Sequence, residues 1–283
     1  MIADIILVAA AIMALVFASV ADIRSKEIPD WLNFSLLVLA LGVRLLYSLQ
    51  SNEWWYFFYG FLGMVVMFAI GYVFYCTRQW GGGDTKLIMA LGAVFATRPY
   101  FVEGSFPFLI SMGVNMLIVG SAYGLLWTLF IYLKNFRLVN AEALRLVKTH
   151  RLLRWLSCLF AIIFLVSAFF VPGLWIVCFM LAGTLFAYPY LLYIVKAVEM
   201  VGMYKRLPVR KLVEGDWVAE SVKANNKVIC SPKDNGISKE QILMLKRSKV
   251  KDVLVKEGIP FVPSFLIAVV LTLIFDNLVF LFI

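Results

Sequence analysis

The chain has 283 residues, of which 63% are hydrophobic and only 15% are charged, and its mean hydropathy is +0.91. Soluble domains are about half apolar and a quarter charged, so the composition excludes an ordinary soluble protein. The net charge is +9, and the basic residues that produce it lie beside apolar runs. No nucleic-acid-binding motif accompanies them. This placement argues against a nucleic-acid partner and for contact with an anionic membrane lipid surface.

Eight apolar runs follow one another along the chain, and most have the length that spans a bilayer. They cover residues 3–21, 31–49, 54–77, 85–98, 106–133, 154–171, 173–196 and 260–283. The runs are continuous and rich in Leu, Ala and Met, which favours helices over the alternating strands of a barrel. We therefore predict an all-α polytopic membrane protein with about eight transmembrane helices, the first of them retained rather than cleaved as a signal peptide.

The basic residues indicate how these helices are oriented. If the N-terminus is outside, the segments 22–30, 78–86, 134–154 and 197–259, together with Lys196, are cytoplasmic and hold 24 of the 26 Lys and Arg residues. Such a bias is typical of cytoplasmic loops. We predict a multi-pass protein of the cell membrane with its N-terminus outside.

Two polar segments interrupt the apolar runs. Residues 134–154 form either a basic amphipathic helix on the inner leaflet or a plain basic loop. Residues 197–259 contain short strand patterns and a capping box at Ser238–Gln241, which predict a small cytoplasmic α+β insert before the last helix. The predicted units are a transmembrane core (1–133), the basic segment (134–154), an additional helix pair (155–196), the insert (197–259) and the last helix (260–283).

Two aspartates lie at span boundaries, where an ionisable group usually marks function. Asp22 directly follows the first span, and Asp84 directly precedes the fourth. Two spans separate them, so both lie at the same membrane edge, which is the cytoplasmic one in the predicted topology. Three glycines, residues 81–83, precede Asp84 and would provide unusual torsions, close approach or a hinge. The alternative is that Asp84 simply caps a helix start.

A pair of neighbouring carboxylates points to one kind of chemistry. Two carboxylates that meet near a membrane do not both ionise easily, so one holds a proton while the other stays charged. Aspartic proteases use this asymmetry to activate water and to protonate the substrate carbonyl. The sequence therefore predicts an intramembrane aspartyl peptidase whose catalytic pair is Asp22 and Asp84. Whether the two side chains touch at rest is left open.

Three motifs carry a family resemblance. Residues 22–30 (DIRSKEIPD) resemble the first aspartate motif of type IV prepilin peptidases and archaeal preflagellin peptidases. Residues 81–87 (GGGDTKL) resemble the G-x-G-D motif of the same group, and residues 258–263 (GIPFVP) resemble the proline-containing start of the family's last helix. The chain resembles the archaeal branch, whose simpler members have six spans, so the pair at 154–196 is an addition.

The resemblance implies an endopeptidase that needs no metal or cofactor. Such enzymes remove a short basic class III signal peptide from archaellin or pilin precursors at the cytoplasmic face, while the precursor's hydrophobic helix packs among the spans. Asp22 and Asp84 would be catalytic, with Gly81 and Gly83 shaping the loop and Gly82 at the variable position.

Three further charged residues are candidates at the same edge. Lys86 would orient or tune the pair, or only snorkel to the membrane surface. Glu27 and Asp30 would attract the basic leader, or form a solvated loop in which Asp30 caps the second helix.

Two other functions are compatible with membrane-edge aspartates. The first is a transferase acting on lipid-linked phosphates, in which the acids would hold Mg²⁺. The second is a transporter or scaffold without catalytic activity. Dependence on a metal would favour the first, and indifference of precursor processing to either aspartate would favour the second.

Overall fold

The computed structural model describes residues 2–104, 106–170, 173–224, 227–232, 236–248 and 250–281, and these parts contain ten α-helices and five strands. The helices are α1 (Ile2–Ser25), α2 (Asp30–Ser51), α3 (Trp54–Cys76), α4 (Gly82–Val94), α5 (Phe108–Lys134), α6 (Phe136–Thr149), α7 (Arg151–Phe170), α8 (Trp175–Gly202), α9 (Lys239–Arg247) and α10 (Val262–Phe275). The strands are β1 (Tyr204–Pro208), β2 (Trp217–Val218), β3 (Val222–Ala224), β4 (Lys227–Cys230) and β5 (Asp252–Lys256).

Six of the described helices are long and apolar enough to cross a membrane, namely α1, α2, α3, α5, α7 and α8. The predicted polytopic all-α class is confirmed. The fourth and last helices, α4 and α10, have 13 and 14 residues. At 1.5 Å per residue each is about 20 Å long, which is less than the hydrocarbon thickness. The last helix is thus shorter than the predicted run at 260–283, of which residues 282 and 283 lie outside the described ranges.

The first five helices and α10 share one hydrophobic core. α10 packs against α5 and α1, although the insert and two long helices separate it from them in sequence. α4 lies inside this group, since Leu87, Ile88 and Leu91 are fully buried. A helix surrounded by protein does not need to span the bilayer, because its neighbours replace lipid around it.

Glycine permits close contact between α3 and α4. A Cβ atom on Gly92 would clash with the carbonyl oxygen of Gly63 and lie 2.7 Å from Cβ of Met67. A Cβ atom on Gly63 would clash with the carbonyl oxygen of Gly92 in return. Small residues let membrane helices approach to backbone contact, which fixes the position of α4 against α3.

A buried arginine donates hydrogen bonds to the last main-chain carbonyls of α4. Arg44 of α2 is fully buried, and its guanidinium donates to the carbonyls of Ala93 at 2.7 Å and Val94 at 2.9 Å. The same group also lies over the Tyr56 ring at 4.4 Å. The last carbonyls of a helix have no partner within it. Arg44 supplies these partners and allows α4 to end inside the helix bundle.

The two interrupting segments also take defined forms. Residues 136–149 form the helix α6, so of the two alternatives for the basic segment the structure has the helix rather than the loop. α6 packs on α8 through Val139, Ala143, Ala197 and Val198. α7 and α8 pack mainly against each other.

The insert before the last helix is a small α+β unit, as predicted. β5 is the central strand of an antiparallel sheet with order β1-β5-β2, and β3 and β4 form a separate hairpin. Ser238 caps α9 by the predicted capping box, with reciprocal bonds to Gln241. The insert has its own hydrophobic core, in which Val253 and Leu245 are fully buried.

Candidate active site

Asp22 lies near the end of α1, and its side chain is held by the start of α10. The residue is only 6% exposed. Its Oδ2 accepts a hydrogen bond from the main-chain N–H of Val262 at 2.9 Å. The first N–H groups of a helix have no intrahelical partner and favour an anion. The last helix thus fixes the carboxylate of the first.

Asp84 is the third residue of α4. Its Oδ2 accepts a hydrogen bond from the main-chain N–H of Gly81 at 2.8 Å, and Gly81 is the residue that precedes the helix. The carboxylate therefore accepts a hydrogen bond from the N-cap residue of its own helix, as the residue at position N3 of a capping box does. Asp84 is partly exposed, so this capping role leaves its other oxygen available.

The glycines before Asp84 do not adopt left-handed torsions. None of Gly81, Gly82 and Gly83 has a positive φ angle, so the prediction of unusual torsions is wrong. Close approach is what the site requires. A Cβ atom on Gly83 would lie 3.2 Å from Cβ of Ile28, in the loop that follows Asp22. The absence of a side chain on Gly83 lets the start of α4 pack against the loop that follows α1.

The structure brings the two predicted carboxylates into one site. Asp22 and Asp84 are close enough for their charges to interact. Within the described ranges no hydrogen bond joins them directly, and each is held by a main-chain donor of its own.

A group of ring side chains, which we call the aromatic cluster, lies behind the site and comprises Phe74, Trp80, Tyr123, Phe261 and Phe265. Trp80 stacks on Phe74 with ring centroids 4.2 Å apart and meets Phe265 edge-on at 5.3 Å. Tyr123 meets Phe261 edge-on at 6.3 Å, and its hydroxyl also interacts with the charge of Asp22.

The aromatic cluster connects the two main-chain donors of the site. Trp80 precedes the donor Gly81, and Phe261 precedes the donor Val262. Of the five, only Phe261 lies in a motif that the sequence singles out. The other four could not be predicted, because aromatic side chains make up 16% of the chain and no local pattern distinguishes them.

Two of the other candidates pair with each other. The Nζ of Lys86 lies 2.6 Å from Oδ1 of Asp30, and its ammonium lies over the Phe34 ring at 5.7 Å. Asp30 is the first residue of α2 and makes no side-chain cap, because Pro29 occupies the capping position. The alternative in which Asp30 caps the second helix is therefore wrong.

Glu27 faces the insert. Burial raises the pKa of Glu27, and the nearby charge of Asp216 raises it further. Next to it, Lys26 pairs with Glu257, which also binds Lys205 of β1 at 2.8 Å. The insert thus contacts the loop that follows Asp22.

The insert also contacts the loop that precedes α4 and Asp84. Arg78, between α3 and α4, donates a hydrogen bond to the carbonyl of Pro232. Contact with both loops was not predicted, because the ion pairs join residues that are far apart in sequence.

Comparison with other proteins finds a resemblance in the first part of the chain. Residues 9–131 match the model of the type IV leader peptidase family. The leader peptidase match contains Asp22, the glycine loop and Asp84, and with the six long apolar helices it makes the chain a multi-pass membrane protein.

Individual relatives agree with the leader peptidase family. The chain is 26% identical over 162 residues to the prepilin peptidase EppA of Methanothermobacter thermautotrophicus, covering 53% of this chain and 42% of that protein. It is 27% identical over 129 residues to the preflagellin peptidase of Methanocaldococcus jannaschii, covering 44% and 55%. A preflagellin peptidase of Methanococcus maripaludis is 32% identical over 82 residues, covering 29% and 35%. The chain thus spans about half the length of these relatives or less.

Proposed function

We propose that this chain is an aspartic endopeptidase that removes the short basic class III signal peptide from archaellin or type IV pilin-like precursors, with Asp22 and Asp84 as its catalytic pair. The observation that carries the proposal is the meeting of these two carboxylates at the ends of α1 and α4, inside the region that matches the leader peptidase family. The names of the relatives support the two substrate classes.

Two carboxylates whose charges interact are suited to a reaction through a water molecule held between them. The charged carboxylate takes a proton from the water as it attacks the scissile carbonyl, and the protonated carboxylate donates its proton to the carbonyl oxygen. Collapse of the tetrahedral intermediate then breaks the C–N bond, and a carboxyl returns a proton to the leaving amine. The pair titrates as a unit, so the two roles are not assigned to individual residues.

The substrate would bind across the membrane edge. Its hydrophobic helix packs laterally against the spans, and its basic leader stays in water near Glu27 and Asp30. We place this edge at the cytoplasmic face of the cell membrane, with the N-terminus outside, because 24 of 26 basic residues then lie inside. In this arrangement residues 1–133 and 260–283 form the catalytic unit, and the segments 134–154, 155–196 and 197–259 are additions to it.

Substitution of the aspartates tests the proposal. We would co-express the chain with an archaellin or pilin precursor in membranes and follow leader loss by gel mobility. Asp22→Asn and Asp84→Asn should each abolish cleavage, because the amide can neither take nor give the required proton. Asp252→Asn, an exposed position in the insert, is the matched control and should cleave normally. Cleavage that persists in either variant would contradict the paired-aspartate mechanism and favour a transporter or scaffold without catalytic activity.

Chelation separates the peptidase from the Mg²⁺-dependent transferase. A Mg²⁺-dependent transferase would need its carboxylates to hold the metal together with substrate phosphates, whereas the proposed carboxylate pair acts on water directly. If the pair acts in this way, cleavage by the purified protein persists in EDTA. Loss of cleavage that added Mg²⁺ restores would overturn the peptidase mechanism.

Lys86 and Asp30 are proposed to act together at the rim of the site. Their ion pair is partly exposed, so its coupling energy should be at most about 1 kcal/mol. We expect Lys86→Met and Asp30→Asn each to slow cleavage about 2- to 5-fold, and the double variant to be no slower than either single one. Additive losses would show that the two residues act separately.

Glu27 is proposed to attract the basic leader. Glu27→Gln should raise the KM for a precursor with a basic leader and leave unchanged the KM for a precursor whose leader lysines are replaced by glutamine. An equal rise in KM for both precursors would show that Glu27 does not bind the leader through its positive charge.

A further inference from the structure

A basic cavity that includes neither catalytic candidate lies where α6 is followed by α7 and both pack near α8. Its volume is about 370 Å³. The lining consists of Lys148, Arg151, Arg154, Trp155, Cys158 and Tyr190. Three cations and two amphipathic rings thus surround one space, and neither the leader peptidase match, which ends at residue 131, nor the proposed reaction accounts for them.

The cations of this basic cavity have no anionic partner among the residues that the structure describes. Among the described residues no carboxylate lies within ion-pair distance of them, whereas the neighbouring Arg145 pairs with Glu142 at 3.5 Å. The Nε of Arg154 is buried and makes no hydrogen bond. A buried donor without a partner costs about 1–3 kcal/mol. Such a group indicates an acceptor supplied from outside the chain.

The arrangement along α7 directs these groups to one place. Arg151, Arg154, Trp155 and Cys158 follow helical i, i+3, i+4, i+7 spacing and so share one face. Arg151 is the first residue of α7, where the main-chain N–H groups also favour an anion. Guanidinium groups bind phosphate oxygens in a bidentate fork, so the chemistry that fits is a phosphate monoanion or diester.

The surroundings indicate that this phosphate belongs to a lipid. α7 is a candidate membrane span, and its apolar side chains Leu152, Leu156 and Leu159 are exposed next to the cavity. Trp and Tyr are enriched at the headgroup level of membranes. Basic pockets between membrane helices bind anionic lipid headgroups. We propose that the basic cavity binds the phosphate of an anionic phospholipid, with Arg151 and Arg154 as donors and the acyl chains along α7.

Binding of short-chain phosphatidylglycerol to the purified full-length protein tests the proposal, with phosphatidylcholine as the neutral comparison. Binding is measured by native mass spectrometry and by the lipid-dependent rise in Tm. Each cation removed should weaken phosphatidylglycerol binding about 5-fold. The variant Arg151→Gln/Arg154→Gln should therefore bind about 25-fold more weakly. The control Lys134→Gln/Arg137→Gln removes the same charge outside the cavity and should bind as the wild type does.

Three outcomes would overturn the proposal. If the control variant loses as much phosphatidylglycerol affinity as the cavity variant, the lipid is attracted to basic surface in general and not to a specific site. Inorganic phosphate that binds as tightly as phosphatidylglycerol would make the cavity a free-phosphate site. Unchanged binding in the cavity variant would exclude any anion there. If the double variant does not fold, Arg151→Gln alone decides, since this side chain is exposed. No readout depends on proteolysis, so failure here leaves the proposed peptidase untouched.

Discussion

The carboxylate of Asp22, on the first helix, is held by the main-chain N–H of Val262 on the last, at a distance of 2.9 Å and a sequence separation of 240 residues. This bond makes the start of α10 part of the candidate site. Any displacement of that start removes a donor from Asp22 and shifts its carboxylate relative to Asp84. The position of Phe261, which precedes Val262, therefore bears on the chemistry.

Enlarging Gly120 should displace this helix start. A Cβ atom on Gly120 of α5 would lie 2.7 Å from Cζ of Phe261. We expect Gly120→Leu to lower kcat for precursor cleavage about 10- to 100-fold, because small misplacements of catalytic groups have effects of that size. Gly124→Leu is the control one turn along the same helix, where a Cβ atom meets nothing within 4 Å. Equal activities of the two variants would contradict the positioning role of α10.

Enlarging Gly92 should separate α3 from α4. Its Cβ atom would clash with the main chain of Gly63. Overpacking of this kind costs about 1–3 kcal/mol, so Gly92→Ala should lower the Tm of the purified protein. Gly42→Ala on α2, where the added atom meets nothing within 4 Å, should be neutral or slightly stabilising. A Tm for Gly92→Ala at or above that of Gly42→Ala would rule out backbone contact between these helices.

Removal of Arg44 should disorder the end of α4. Arg44→Met keeps the apolar stem and leaves the carbonyls of Ala93 and Val94 without this donor. Each lost partner costs about 1–3 kcal/mol. We expect a lower Tm, and faster amide hydrogen exchange in α4 than in α1. Uniform exchange across all helices would indicate general destabilisation rather than loss of a cap.

The contact between the insert and the loop after Asp22 should depend on pH. Burial alone would raise the pKa of Glu257, but hydrogen bonds from Lys205 and Lys26 outweigh it and hold the pKa below its ordinary value of 4.5. The ion pairs of Glu257 therefore stabilise the folded protein fully above the pKa that Glu257 has in the unfolded chain. This stabilisation is lost as the pH falls through the lower pKa of the folded state. Each partly exposed pair contributes at most about 1 kcal/mol.

Hydrogen exchange measures this contact. Amides of β5 and of residues 26–29 should exchange faster at acid than at neutral pH, after correction for intrinsic rates. Glu257→Gln should show the fast exchange at both pH values. Glu214→Gln, which removes the pair with Lys239 on the insert surface, should behave as the wild type does. A pH effect that survives in Glu257→Gln would assign it to another group.

Composition and charge were sufficient to predict the membrane class, the insert, and the boundary positions of Asp22 and Asp84. They could not predict how short α4 is, because its apolar run is buried by protein rather than by lipid, and burial removes the length requirement. They could not show the purpose of Arg44 either, because its acceptors are main-chain carbonyls on another helix. The glycine loop was recognised, but its need for close packing against Ile28 is a tertiary fact that no local pattern contains.

The hydrogen bond from Val262 to Asp22 also means that the candidate site can form only late in the synthesis of the chain. Ribosomes make the chain from its N-terminus, so α1 and α4 enter the membrane long before α10 has been translated. Until then Asp22 lacks its main-chain donor Val262, and the core lacks Phe265 of the last helix. The candidate site is therefore incomplete until the last helix has been made and has packed against the first.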